Sequence, residues 1–266
     1  MSDQELTSQA AGWVKEAMLL GLSNPDTIMD PPAARENVLG ELTEIWPRLM
    51  EKKEHKLRLS YGSRCARRLW YTHHKPEAAS AVGPERVTFS MGDLWEVIAF
   101  WAVYGGLKHM NSKLQLDPES NQREVDLLGI KGHIDGLLTY EGEPTFLLDF
   151  KQTSKWVHRK WIQGRVPDPI WGYPMQAANY IEAMRSEGCD LKGFIWAAHL
   201  KDVGGYETGW ATTEELAPYL KESATNLARA LMDTPPARAG AHPHGTPCRG
   251  KARIYCPFYE TCSNDS

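Results

Sequence analysis

Two carboxylates and an ammonium can be brought to one place by the stretch from Gly132-His133-Ile134-Asp135 to Leu147-Leu148-Asp149-Phe150-Lys151. Asp149 and Lys151 are two residues apart, so on a strand they share a face and Phe150 takes the other. On the preceding strand Asp135 points opposite to Ile134. The polar turn Glu141-Gly142-Glu143-Pro144 lies between two apolar runs, which is the pattern of a hairpin. Pairing its strands would collect Asp135, Asp149 and Lys151 at one end of a sheet. Leu147, Leu148 and Phe150 read as a buried strand, where a charge is costly unless paired or bound to a metal. A half-exposed hairpin with a solvated Asp and Lys carries the same pattern, and the hairpin alone does not choose between the two.

Other chemistry-bearing residues gather in two basic runs. Lys52, Lys53, Lys56, Arg58, Arg64, Arg67, Arg68 and Lys75 are interleaved with Tyr61, Trp70 and Tyr71. Lys151, Lys155, Arg159, Lys160 and Arg165 are interleaved with Trp156 and Trp161. Such mixtures suit phosphates and stacked bases, and equally a solvated face over packed aromatic stems. Cys65, Cys189, Cys248, Cys256 and Cys262 are the five cysteines. His73-His74 could ligate a metal, although a basic loop explains them as well, and His242 and His244 fall in a Pro/Gly-rich linker. No Gly-rich phosphate loop, nucleophile elbow, His-Glu-x-x-His pair or credible Ser/His/Asp set is present.

The elements that must position these residues follow from periodicity. Residues 4–20 predict an amphipathic helix with Trp13, Ala17 and Leu20 on one side, widened by Val14 and Met18, and with Gly21 as its C-terminal cap. A second helix is expected over 33–50, with Val38, Leu39, Leu42 and Trp46 inward. Ser63 is placed to cap a short helix carrying Cys65. Residues 76–89 read as a loop, and Ser90 as the cap of a helix over 91–104 that carries Glu96 and uses Asp93 in a capping box. After the hairpin, 155–171 is Trp-rich and irregular. Pro174 starts a helix in which Gln176 and Tyr180, four apart, share a face. Gly193–Leu200 and Thr208–Thr212 are strands, and a last helix runs from Thr213 or Glu214 to about Met232. This order predicts an α+β fold, a mixed central sheet flanked by helices. The divisions are an N-terminal helical appendage (1–59), a central core (60–233), and a linker with a cysteine-bearing tail (234–266).

Composition sets outer bounds. The chain has 266 residues, 42% hydrophobic and 24% charged, enough for a sizeable core. Its formal net charge of −4 does not advertise nucleic acid, so any such signal is local. Met1-Ser2-Asp3-Gln4-Glu5 is polar and acidic, unlike a signal peptide, and no apolar stretch is long enough to span a bilayer. The expectation is a cytoplasmic protein with no membrane partner, in which cysteines are ligands or free thiols rather than disulfides.

Taken together, Gly132-x-x-Asp135, Asp149-Phe150-Lys151 and Gln176-x-x-x-Tyr180 resemble the RecB-like branch of the PD-(D/E)XK nuclease superfamily. Gly92-Asp93-Leu94-Trp95-Glu96 is similar to its upstream helix motif, where many relatives carry His and phage exonucleases carry Glu. Cys65-Ala66-Arg67-Arg68-Leu69-Trp70-Tyr71 resembles the first cysteine segment of the iron–sulfur members, which include CRISPR-adaptation exonucleases and AddB-type nuclease domains. Cys256-Pro257-Phe258-Tyr259-Glu260-Thr261-Cys262 resembles their closing pair. One spacing departs: seven residues separate Cys248 from Cys256, where the family usually has two.

The resemblance implies a metal-dependent DNA exonuclease of recombination, repair or replication in a bacterial cell or phage-infected host. Glu96, Asp135, Asp149 and the Phe150 carbonyl would hold Mg²⁺ or Mn²⁺, and Lys151, Gln176 and Tyr180 would complete the catalytic set. Cys65, Cys248, Cys256 and Cys262 would bind a structural [4Fe–4S] cluster. Arg67, Arg68, Lys155, Trp156, Arg159, Lys160 and Trp161 would contact DNA ends or single strands, and a protein partner in recombination or replication fits the same setting. Two other classes fit the residues: a DNA-end-binding subunit of a larger complex, such as one for CRISPR spacer acquisition, and a zinc-stabilised interaction protein in which the hairpin charges are incidental.

Overall fold

The computed structural model describes residues 1–24, 32–50, 56–79, 85–153, 172–200, 204–237 and 256–264. The fold is α+β, with a mixed five-stranded sheet between two helical layers. The helices are α1 (Asp3–Ser23), α2 (Pro32–Met50), α3 (Ala66–His74), α4 (Glu85–His109), α5 (Tyr173–Ser186), α6 (Thr213–Ala230) and α7 (Tyr259–Asn264). The strands are β1 (Leu114–Leu116), β2 (Arg123–Leu127), β3 (Ile130–Ile134), β4 (Gly136–Tyr140), β5 (Glu143–Thr153), β6 (Gly193–Leu200) and β7 (Gly205–Thr212). The sheet order is β1-β4-β5-β6-β7, and β2 and β3 form a separate two-stranded ribbon. Among the described strands, β5 and β6 pair in parallel and the other neighbours are antiparallel.

The central strand β5 is apolar on both sides because both faces are covered. Leu148 and Phe150 join Ile195, Ala197 and Phe100 in the core under α1 and α4. Leu147 joins Phe194, Trp196 and Ile181 in the core under α5 and α6. Asp149 and Lys151 have the parity of Leu147, so they fall on the α5 side at the end of that apolar run. The turn before β5 is tight: Glu141 and Gly142 both adopt positive φ, 52° and 94°.

The N-terminal segment is a layer of the core rather than an appendage. α1 starts with a capping box between Ser2 and Glu5 and buries Ala10, Val14, Ala17 and Met18 against α4 and β7. Gly21 is not the cap expected from the sequence; it lies inside α1 where α4 crosses. A Cβ there would stand 2.2 Å from the Ala102 carbonyl oxygen, and one on Gly106 would stand 2.0 Å from that of Ala17. The two glycines therefore set how closely α1 and α4 approach.

Three further expectations are corrected. Cys65, not Ser63, is the residue that precedes the first turn of α3. α4 begins at Glu85, so Ser90 lies within it. Leu39 and Leu42 of α2 are exposed, whereas among its described side chains Ala34 is buried and Val38 packs against the same core, as expected; the Trp46 side chain lies outside the description. Among the described residues, no helix is long and apolar enough to cross a membrane.

Candidate active site

Five elements deliver one cluster of polar side chains. Asp149 and Lys151 come from β5, Asp135 from the junction of β3 and β4, Glu96 from α4, Gln176 and Tyr180 from α5, and Gln122 from the turn before β2. Asp149 Oδ1 accepts from Lys151 Nζ at 2.6 Å and from Gln176 Nε2 at 3.1 Å. Asp135 Oδ2 accepts from the Phe150 backbone N–H at 2.8 Å. Gln122 Nε2 stands 3.4 Å from both Glu96 Oε2 and Asp135 Oδ1. Lys151 Nζ also lies 5.7 Å from the centroid of the Tyr173 ring.

Local sequence explains these placements. β3 and β4 are separated by Asp135 alone, so the chain leaves the β2–β3 ribbon and enters the main sheet at that residue. In register, Gly136 pairs with Leu148, which sets Asp135 beside the Asp149–Phe150 peptide. Tyr180 reaches the site across Gly132: a Cβ there would meet the Tyr180 ring at 2.6 Å. Gln176 and Tyr180 share the inward face of α5, as their spacing predicts.

The electrostatics are those of acids held close together. Burial first, then the Asp135 charge, holds the half-buried Glu96 well above the ordinary carboxylate range. Asp135 is pushed up to about 7 by loss of solvent and by Asp149. Burial also raises Asp149, against the opposing pull of Lys151. Burial lowers the Lys151 ammonium, but Asp149, Asp135 and Glu96 outweigh it and raise its pKa above that of an ordinary lysine, so it stays charged. Burial lifts the Tyr180 phenol to about 12, so it stays neutral and can donate.

Crowded acids that oppose their own ionisation are relieved by a cation. Asp149 is 2% exposed, and its Oδ2 has no hydrogen-bond partner. A buried orphan oxygen costs about 1–3 kcal/mol, and carboxylate oxygens are the hard donors that Mg²⁺ or Mn²⁺ prefers. Glu96, Asp135 and Asp149 therefore fit such an ion in donor chemistry. Among the described residues, no three His, Cys, Asp or Glu side chains are drawn together closely enough to cage an ion by themselves. Bound water or a substrate phosphate would have to complete the shell.

A second cluster lies on α3. Cys256 and Cys262 pack with Trp70, Tyr71 and Phe258, and the Tyr71 and Phe258 rings stack at 5.6 Å. Burial raises the Cys256 thiol, and Cys65 and Cys262 are near enough to raise it further. Cys65, Cys256 and Cys262 are thus brought to one region, whereas Cys189 packs in the core under α5 and α6. Cys248 lies outside the described residues, as do Lys155, Trp156, Arg159, Lys160 and Trp161. Arg67, expected at a nucleic-acid face, points into the protein. It is buried, and its Nη1 donates to the Pro236 carbonyl at 2.9 Å, so the guanidinium ties α3 to the chain after α6. Arg68 is half-buried beside Cys256, whose thiol pKa it lowers.

No family model and no curated protein matches the chain. The solved structure of SSO0001 covers 90% of this chain and 99% of its own length, at 15% identity and a TM-score of 0.47. Likeness at that level carries no argument about function.

Gln122 and Tyr173 were not legible as site residues. Gln122 owes its aim to a left-handed backbone, φ 54°, and nothing in Ser120-Asn121-Gln122-Arg123 signals that. Tyr173 opens α5 next to Pro174 and reads as helix packing.

Proposed function

We propose that the chain is a metal-dependent deoxyribonuclease that removes nucleotides from DNA ends. The observation that carries this reading is the convergence of Asp135, Asp149 and Lys151 with Glu96, Gln176 and Tyr180 from separate elements, around a buried Asp149 oxygen that lacks a partner. The motif order, which resembles that of RecB-like nucleases, supports it from the sequence side.

A bound Mg²⁺ or Mn²⁺ would supply the Lewis acid that neutralises the phosphate and acidifies the attacking water. The chain's own residues do the rest. Gln176 holds one oxygen of Asp149 and leaves the other for the site. The Phe150 N–H holds Oδ2 of Asp135 while Gln122 stands at its Oδ1, so both carboxylates keep fixed orientations before substrate arrives. Lys151 is a permanent cation; its ammonium orients the attacking water and stabilises charge that builds on the phosphoryl oxygens. Tyr180 donates as a neutral phenol. The tail is proposed to close a structural [4Fe–4S] cluster through Cys65, Cys256 and Cys262, with Cys248 as the fourth ligand. Four thiolates also suit zinc, and iron content separates the two. The setting proposed is cytoplasmic DNA recombination, repair or replication.

The test is incubation of anaerobically purified protein with end-labelled DNA, with Mn²⁺ and with EDTA. Stepwise loss of label that requires the ion supports the reading. Intact DNA under both conditions overturns it.

A further inference from the structure

Trp95, His199 and Tyr206 form an aromatic cluster on the side of the sheet opposite Asp149. Trp95 and His199 lie 4.2 Å apart with planes 28° from parallel. His199 and Tyr206 lie 5.1 Å apart at 22°, and Trp95 and Tyr206 5.8 Å apart at 20°. The rings come from α4, β6 and β7, and all three are half-buried, so the cluster closes the edge of the core while keeping surface open to solvent. His199 Nδ1 has no hydrogen-bond partner. The contacts seen for this imidazole are made by its ring face. Burial lowers its pKa, which keeps the ring neutral and suited to stacking.

Two chain connections tie the cluster to the acidic centre. Trp95 immediately precedes Glu96 on α4. His199 pairs in register with Gln152, the residue after Lys151 on β5. The second connection runs to the end of β5 that carries Asp149 and Lys151.

We infer that Trp95, His199 and Tyr206 form a nucleobase-stacking subsite that holds an unpaired base of the strand being cut. This rests on the nuclease reading proposed above and adds the state of the substrate to it. Inside a duplex both faces of a base are already stacked, so an aromatic cluster that keeps some solvent exposure suits a base that has left the helix. The contact is sequence-tolerant, because every base has a π-face. Stacking of this kind changes affinity roughly 5- to 150-fold per base.

The test uses the whole chain in EDTA. Binding of a single-stranded oligonucleotide is compared with that of an abasic strand of the same length and charge. The same strands are then assayed for cleavage with Mn²⁺. Wild-type protein should prefer the base-bearing strand at least about 5-fold. Trp95→Leu and Tyr206→Leu should each reduce that preference and leave abasic binding unchanged, while Trp95→Phe retains most of it. Using both leucine variants keeps the test decisive should one fail to fold. Equal binding of the two strands by a protein that cleaves DNA overturns the subsite and leaves the nuclease reading standing. No binding and no cleavage overturns both.

Discussion

The backbone N–H of Phe150 donates to Asp135 Oδ2 at 2.8 Å, so the strand that carries Asp149 and Lys151 also fixes the orientation of the second aspartate. The residue between the two charged positions faces the core under α1 and α4, and its peptide holds the site together on the other side. Any shift of β5 would move three of the site groups at once.

Asp149→Asn should remove nuclease activity by at least about 100-fold with little effect on fold. The amide fills the same volume, and its oxygen can still accept from Lys151 and Gln176. Cleavage assays and thermal melting on one preparation check both halves.

Gln122→Ala should weaken Mn²⁺ binding about 10- to 100-fold, since Gln122 is the group that spans Glu96 and Asp135. Gln122 is exposed, so the melting temperature of the ion-free protein should change little. Calorimetric titration with Mn²⁺ measures the loss. An unchanged affinity would show that the bridging amide plays no part in holding the carboxylates.

The pH dependence of the ion-free protein has a definite sign. Asp135 rises from 3.8 to about 7 on folding, and Glu96 and Asp149 rise as well. A folded-state acid with a raised pKa keeps its proton where the unfolded chain has lost it. Its stabilising contribution is full below about pH 4 and is lost as pH climbs through about 7. These groups should therefore make the ion-free protein less stable across that interval, and Mn²⁺, which needs the ionised carboxylates, should bind more tightly across it. Denaturant midpoints at a series of pH values, with and without Mn²⁺, should diverge toward neutral pH.

Much of the fold was legible because its signals are local. The two-faced burial of β5 shows as Phe146-Leu147-Leu148, the turn shows as Glu141-Gly142, and α5 shows through Pro174; the α6 start was read one residue or two past the Thr212 capping box that sets it. β1 and β2 were missed. β1 is three residues long, and β2 mixes Arg123, Glu124 and Asp126 with a single buried Val125, too little apolar pattern to reveal a strand. The place of α1 was missed for another reason. Its glycines and alanines matter only because α4 lies against them, a fact that no local pattern contains.

For the tail, anaerobically purified protein should be brown and contain about four irons per chain. Cys256→Ala should lose the colour, because Cys256 lies beside both Cys65 and Cys262. Cys189→Ala should keep it, because that thiol packs in a different core. Visible absorption and iron analysis of the two variants decide the matter. A colourless, folded protein with one zinc would replace the cluster with a zinc site and leave the acidic centre untouched.

The Asp149–Lys151 pair, 2.6 Å apart and nearly buried, is proposed as a catalytic centre and not a structural ion pair. Lys151→Met tests it most directly, with Mn²⁺ affinity and cleavage of end-labelled DNA measured on the same folded preparation. Mn²⁺ should still bind, since the carboxylates remain, while cleavage should fall at least about 100-fold. Cleavage within a few-fold of wild type, with Mn²⁺ bound, would contradict it.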